Sequence, residues 1–295
     1  MSKHQGWTAR CLLAASLAAG STVAFSEDLA YYGERIDSVA HDLVKTIRPT
    51  LPERAQKVLD DIEFRSPRTW ETNADARIAF GNRRLVEFNA GFLAVTDWLT
   101  LAMIADWSGH DGCLREYSDY LSALVGHNSR RIFKGKELHF VHDFTSYTVD
   151  VRGQCEGALQ DATFDERKAA IREQILDSVV TTVLLHEIAH HVLEHTTGNG
   201  NNFMQRRLRE VAADRWAIST AVNAKYDLRG AVPLFLFIAA TGGGTLEDQV
   251  RSGHRSGLRR VRDLLVQTRA LLDQTDSLGA HLMDASIDDL NKSLR

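Results

Sequence analysis

Ten consecutive residues, His186-Glu187-Ile188-Ala189-His190-His191-Val192-Leu193-Glu194-His195, carry four imidazoles and two carboxylates. The first five spell H-E-x-x-H. Two His four apart on a helix lie on one face a turn apart, which suits joint ligation of a tetrahedral zinc ion, and the Glu after the first can reach a water on that ion. The chemistry implied is metal-assisted hydrolysis, with His186 and His190 as ligands and Glu187 as general base. The last five residues spell the inverted string H-x-x-E-H, a second register that cannot hold the same ion. Glu210-Val211-Ala212-Ala213-Asp214, which begins twenty residues past His190, favours the first register. A catalytic zinc takes three protein ligands and keeps one position open, so Glu210 is the expected third ligand. Asp214, one turn further on, is spaced to accept from a ligating imidazole and hold its tautomer. One Zn2+ per chain is the cofactor expected.

Such side chains need a helix that buries one face. On a helical wheel Leu184, Leu185, Ile188, Ala189, Val192 and Leu193 fill one half, and His186, Glu187, His190, His191, Glu194 and His195 fill the other. The helical pattern runs over 165–194 and resumes over 203–222, with the Gly- and Asn-rich 197–202 between them. Two more helices are expected at 231–240 and 245–272, parted by Gly242-Gly243-Gly244. Upstream, residues 27–64 predict two helices, the second carrying Leu51, Ala55, Val58, Leu59 and Ile62 at helical spacing. The β-favouring runs 77–80, 85–88 and 92–96 predict short strands, punctuated by Gly81-Asn82 and Gly91. Residues 98–107 predict a buried helix too short to span a bilayer. Residues 138–151 predict a strand or hairpin in which His139 and His142 are ordinary strand residues. The fold class expected is α+β, mainly helical, with a small sheet.

Composition narrows the rest. With 295 residues, 44% apolar and 25% charged, the chain is globular in kind, and a net charge of −4 with scattered Lys and Arg excludes a nucleic-acid footprint. Lys3 and Arg10 precede an apolar run over 11–25, and no acidic residue comes before Glu27. That is the layout of a signal peptide cut after Ala24-Phe25-Ser26. Cleavage leaves 33 basic against 39 acidic residues, a mature charge of about −6. An uncleaved membrane anchor is the alternative. Without the leader, Cys113 and Cys155 remain, a number compatible with one disulfide in an exported protein and equally with two buried thiols.

Residues 186–195, Glu210 to Asp214 and the adjoining Arg215-Trp216-Ala217 resemble the gluzincin metallopeptidases, in particular the family of CAAX prenyl proteases, heat-shock membrane proteases and their soluble periplasmic relatives. Ala224-Lys225-Tyr226-Asp227 with Ala231-Val232 is similar to the segment after that family's E-x-x-A-D helix. His254 with Arg260-Val261 is similar to its later His and Arg pattern, which implies transition-state or substrate contacts for His254 and Arg260, although Arg255 stands where the family has proline. Gly91-Phe92-Leu93-Ala94-Val95-Thr96 is similar to its edge strand, which pairs with substrate backbone. The resemblance implies a zincin-like domain over 76–272 with an insertion at 108–160, preceded by a signal peptide, 1–26, and a helical arm, 27–75, and succeeded by a tail, 273–295. It implies a periplasmic zinc endopeptidase acting on unfolded or mislocalised envelope proteins, with peripheral association with the membrane. The alternative is a gluzincin-fold chaperone or regulator that keeps the metal without the activity.

Overall fold

The computed structural model describes residues 25–133, 142–150, 153–159, 165–196 and 203–228, together with 262, 263, 265, 266 and 269 at isolated helical positions. Among them the chain is a mainly helical α+β protein of seven α-helices and one three-stranded mixed sheet. The expected signal peptide apart from its last two residues, the helix at 231–240, His139, His254, Arg260 and the tail lie outside the described residues, as does most of 245–272.

Helix α1 (Phe25–Ile47) places Leu29, Tyr32, Ile36, Ala40, Leu43 and Ile47 at steps of three and four, so one stripe is buried along its length. Each large aliphatic side chain buried in this way contributes about 1.5–3 kcal/mol relative to exposure. The stripe meets α3 (Ala90–Trp107) and α6 (Glu166–Val192). After a 3-10 turn, α2 (Glu53–Asp60) starts behind Pro52 and buries Ala55 and Leu59 in the same core. Residues before 76 thus share the core that holds α6.

Ile62 and Phe64, expected at the end of a helix, belong instead to strand β1 (Ile62–Arg65). It pairs parallel with β3 (Arg84–Phe88), and β2 (Ala74–Ile78) pairs antiparallel with β3, giving the order β1-β3-β2. The β2–β3 turn has Gly81 at φ 78° and Asn82 at φ 59°. Left-handed backbone of this kind suits those two residue types, so the Gly-Asn pair marks a true turn.

The third expected strand is not one. Gly91-Phe92-Leu93-Ala94-Val95-Thr96 forms the start of α3, where all but Phe92 are buried. The helix is apolar on every side, so it shows no amphipathic period, and its Phe, Val and Thr content imitates a strand. Its first amides are met by backbone: Ala90 N donates to Pro67 O and Gly91 N to Thr69 O, both at 2.9 Å. A Cβ on Gly91 would stand 2.6 Å from Trp70 Cα, so glycine there serves a close backbone approach and not a strand turn.

Helix α4 (Cys113–Phe133) and helix α5 (Phe144–Asp150) pack on the second half of α3 around a separate aromatic cluster of Trp98, Tyr117, Phe144 and Tyr147. The Tyr117 ring lies edge-on to Phe144 at 5.1 Å and to Tyr147 at 5.0 Å. Within the expected strand or hairpin at 138–151, α5 is helical, and His142 precedes it. The Cys113–Cys155 disulfide closes this cluster. Such a bridge is consistent with an extracytoplasmic protein, and among the described residues no helix is long and apolar enough to cross a membrane.

One buried ion pair joins α1, α3 and α6. Arg172 donates through Nε to Asp97 Oδ1 at 2.6 Å and through its second terminal nitrogen to Oδ2, while Tyr32 OH donates to Oδ2 at 2.5 Å. Asp97 is fully buried, so these donors offset the cost of taking its charge out of water.

Candidate metal centre

Helix α6 is capped by Asp165, whose side chain accepts from Lys168 N at 2.9 Å, and enters the core at Ile175. From there Leu176, Val179, Val180, Leu184, Leu185, Ile188 and Ala189 are buried, which fixes the helix about its axis. Helix α7 (Phe203–Asn223) lies against it through Ala213, Ala217 and Ala221, a ridge of small residues at intervals of four. Small side chains let helix axes approach closely. Glu210 and Asp214 flank that ridge, so the approach delivers both carboxylates to the imidazoles of α6.

His186 Nε2 lies 3.1 Å from His190 Nε2 and 3.3 Å from Glu210 Oε2, and His190 Nε2 lies 3.6 Å from Glu210 Oε1. Ligands of a tetrahedral zinc at about 2.0–2.1 Å stand about 3.3–3.4 Å from one another. The His186–His190 and His186–Glu210 separations lie near that value, and one ligand atom from each of the three residues lies within 4.8 Å of the others. His186 Nδ1 is 2.9 Å from Asp214 Oδ1. A carboxylate only accepts, so Nδ1 carries a proton, and Nε2 is the nitrogen that faces the trio. Burial first, and then His186, push His190 down to about 3, so its ring is neutral at pH 7. Acceptor atoms gathered this closely in a buried place call for a cation between them. The last turn of α6 adds the negative end of a helix dipole.

The His186, His190 and Glu210 group can therefore hold a metal ion, and no other trio of His, Cys, Asp or Glu does so among the described residues. All three ligands expected from the sequence converge, and Asp214 joins them at the expected place. Glu187 is buried beside them on α6.

The helical wheel errs at two positions. His191, assigned to the polar half, is fully buried, with Nε2 3.0 Å from Leu85 O of β3 and Nδ1 3.4 Å from Thr196 Oγ1. It turns about 100° away from His190, which puts it against the sheet. Burial lowers its pKa, opposed by the bond to Leu85. Leu193, assigned to the buried half, is exposed, and Glu194 pairs with Arg54 across the surface. The inverted register thus gathers nothing around a metal.

His195 is a residue of the site that the motif does not reveal. Its Nδ1 lies 3.1 Å from His190 Nδ1, with ring centroids 5.1 Å apart. Spacing carries no hint of this, because a straight helix carries residues five apart about 7.5 Å along the axis and 140° around it. Protein-family models, characterised proteins and solved structures offer no match to this chain.

Proposed function

We propose that the chain is a zinc-dependent endopeptidase of gluzincin type, exported to the periplasm, that hydrolyses unfolded or mislocalised envelope proteins. The observation that carries this reading is the convergence of His186, His190 and Glu210, with Asp214 on the far nitrogen of His186. Two neutral nitrogens and one carboxylate are the ligand set of a catalytic zinc, borderline in softness and open at one position. Bound there, the ion would supply a Lewis acid for the scissile carbonyl and for the attacking water. Glu187 takes the proton from that water and passes it to the leaving amine. His254 and Arg260 enter the reading only through the family resemblance.

The substrate strand needs a new place, because Gly91 to Thr96 are helical and the Gly91 amide is already taken by Thr69 O. Edge strand β2, which lies against α6, fits better. Asn73 O accepts from Asn89 N and Ala79 N donates to Arg83 O, so the odd residues of β2 face β3 and the backbone of Ala74, Ala76 and Ile78 faces outward. An extended peptide adding there gains affinity from backbone alone, which suits unfolded chains of varied sequence. The disulfide favours an exported site of action.

The test is digestion of an unfolded protein such as casein by the purified mature chain. Zinc near one equivalent, loss of digestion with a chelator and its return with zinc are expected. Metal without digestion would favour the chaperone or regulator.

A further inference from the structure

We propose that His195 is a positioning residue for His190: its Nδ1 accepts the Nδ1–H of His190 and so aims the bare Nε2 of His190 into the metal trio. The proposal rests on the metal reading of that trio and gives a part to a residue that the inverted motif would use as a ligand.

The turn after α6 makes the contact. Glu194 N donates to His191 O at 3.1 Å and His195 N donates to His190 O at 2.8 Å, the paired bonds of a Schellman turn. That turn requires left-handed backbone at Glu194, which has φ 58°. Glycine usually takes this place, and a residue with a Cβ costs about 1–2 kcal/mol there. The turn folds the chain back, so His195 lies beside the ring five residues earlier. Arg209 then donates from its guanidinium to His195 O at 3.3 Å, fastening the turn to α7 next to Glu210.

The two ligating imidazoles are served alike. Each has two nitrogens, and the one away from the trio needs an acceptor to keep its proton there. Asp214 serves His186 at 2.9 Å, and His195 stands in the matching place for His190 at 3.1 Å. A neutral acceptor also adds no further negative charge to a group that already holds Glu210 and Asp214.

Zn2+ competition against a chromophoric chelator, run on the mature chain, tests this. His195→Ala should weaken zinc binding about 10–100-fold, the loss typical of an outer partner of a metal ligand. His195→Asn, whose side-chain oxygen can stand near the lost Nδ1, should recover most of it. In the Co2+ form the visible d–d bands should move in His195→Ala, whereas a purely structural loss would lower occupancy and leave the bands in place. Affinity within about twofold of wild type and unmoved bands in His195→Ala overturn the proposal while leaving the trio intact. A wild type that takes up no zinc removes the metal reading and the proposal with it. Should His195→Ala not fold, His195→Asn beside His195→Leu, alike in size and different in the acceptor, decides the same question.

Discussion

The two halves of the stretch 186–195 each hold two His and one Glu, and they meet opposite fates. His186, Glu187 and His190 open toward α7, where Glu210 and Asp214 complete a group of metal-ligand geometry. His191, Glu194 and His195 scatter to a strand carbonyl, a surface pair with Arg54 and the back of His190. The helix ends within the second: α6 stops at Val192, and left-handed backbone at Glu194 turns the chain. A motif therefore means chemistry only where the helix continues beneath it and a second element answers it. Identical residue types one turn further on become anchors and supports.

Substitutions in the first half should act on metal and chemistry, and those at His191 and Glu194 on stability. His186→Ala or Glu210→Gln should lose zinc through dialysis, with affinity falling beyond the about 100-fold that an outer partner costs, as metal analysis would record. Glu187→Gln should keep zinc and lose about 10²–10⁴ of the hydrolytic rate. Hydrolysis retained by a clean preparation of that variant removes Glu187 from the mechanism. His191→Ala should keep zinc and cost about 2–3 kcal/mol of stability, because it leaves a cavity and strands the buried Leu85 carbonyl. Urea unfolding of the holoprotein would read this, and loss of zinc there would make His191 part of the site after all.

Acid should separate the halves less sharply. In the metal-free protein His190 and His191 both titrate lower when folded than their ordinary value near 6.5, because burial disfavours their charged forms. The unfolded chain thus binds more protons, so this contribution is fully present above pH 6.5 and is lost as pH falls toward about 3 for His190. A decline on the order of 1 kcal/mol per pH unit is expected in urea titrations of the chelated protein, shallower in His191→Ala. The smallest effect belongs to Glu194→Gly, which should stabilise by up to about 1 kcal/mol through relief of left-handed backbone and leave zinc affinity unchanged. A fall in affinity there would show the Glu194 side chain acting on the centre.

Much of the fold is legible in the residues where pattern and physics coincide. The 3.6-residue period marks α1 and α7, and the Gly81-Asn82 turn marks the β2–β3 hairpin. The period fails where burial is complete. In α3 an all-round apolar surface removes the only signal that tells a buried helix from a strand, and Gly91 looks like punctuation although it makes room for Trp70. Short α5, too brief to show a period, has the residue pattern of a strand.

The amino-acid sequence alone determined the ligand types, their spacing on one helix and the second helix that supplies the carboxylates, because coordination chemistry restricts residue types and a helix converts spacing into direction. Tertiary structure alone decided that His191 faces the sheet, that Gly91–Thr96 is helix and leaves β1 and β2 as the sheet's edges, and that His195 returns to His190. Each depends on the neighbour that packs beside the element or on how the chain leaves it, and neither is written in residue spacing.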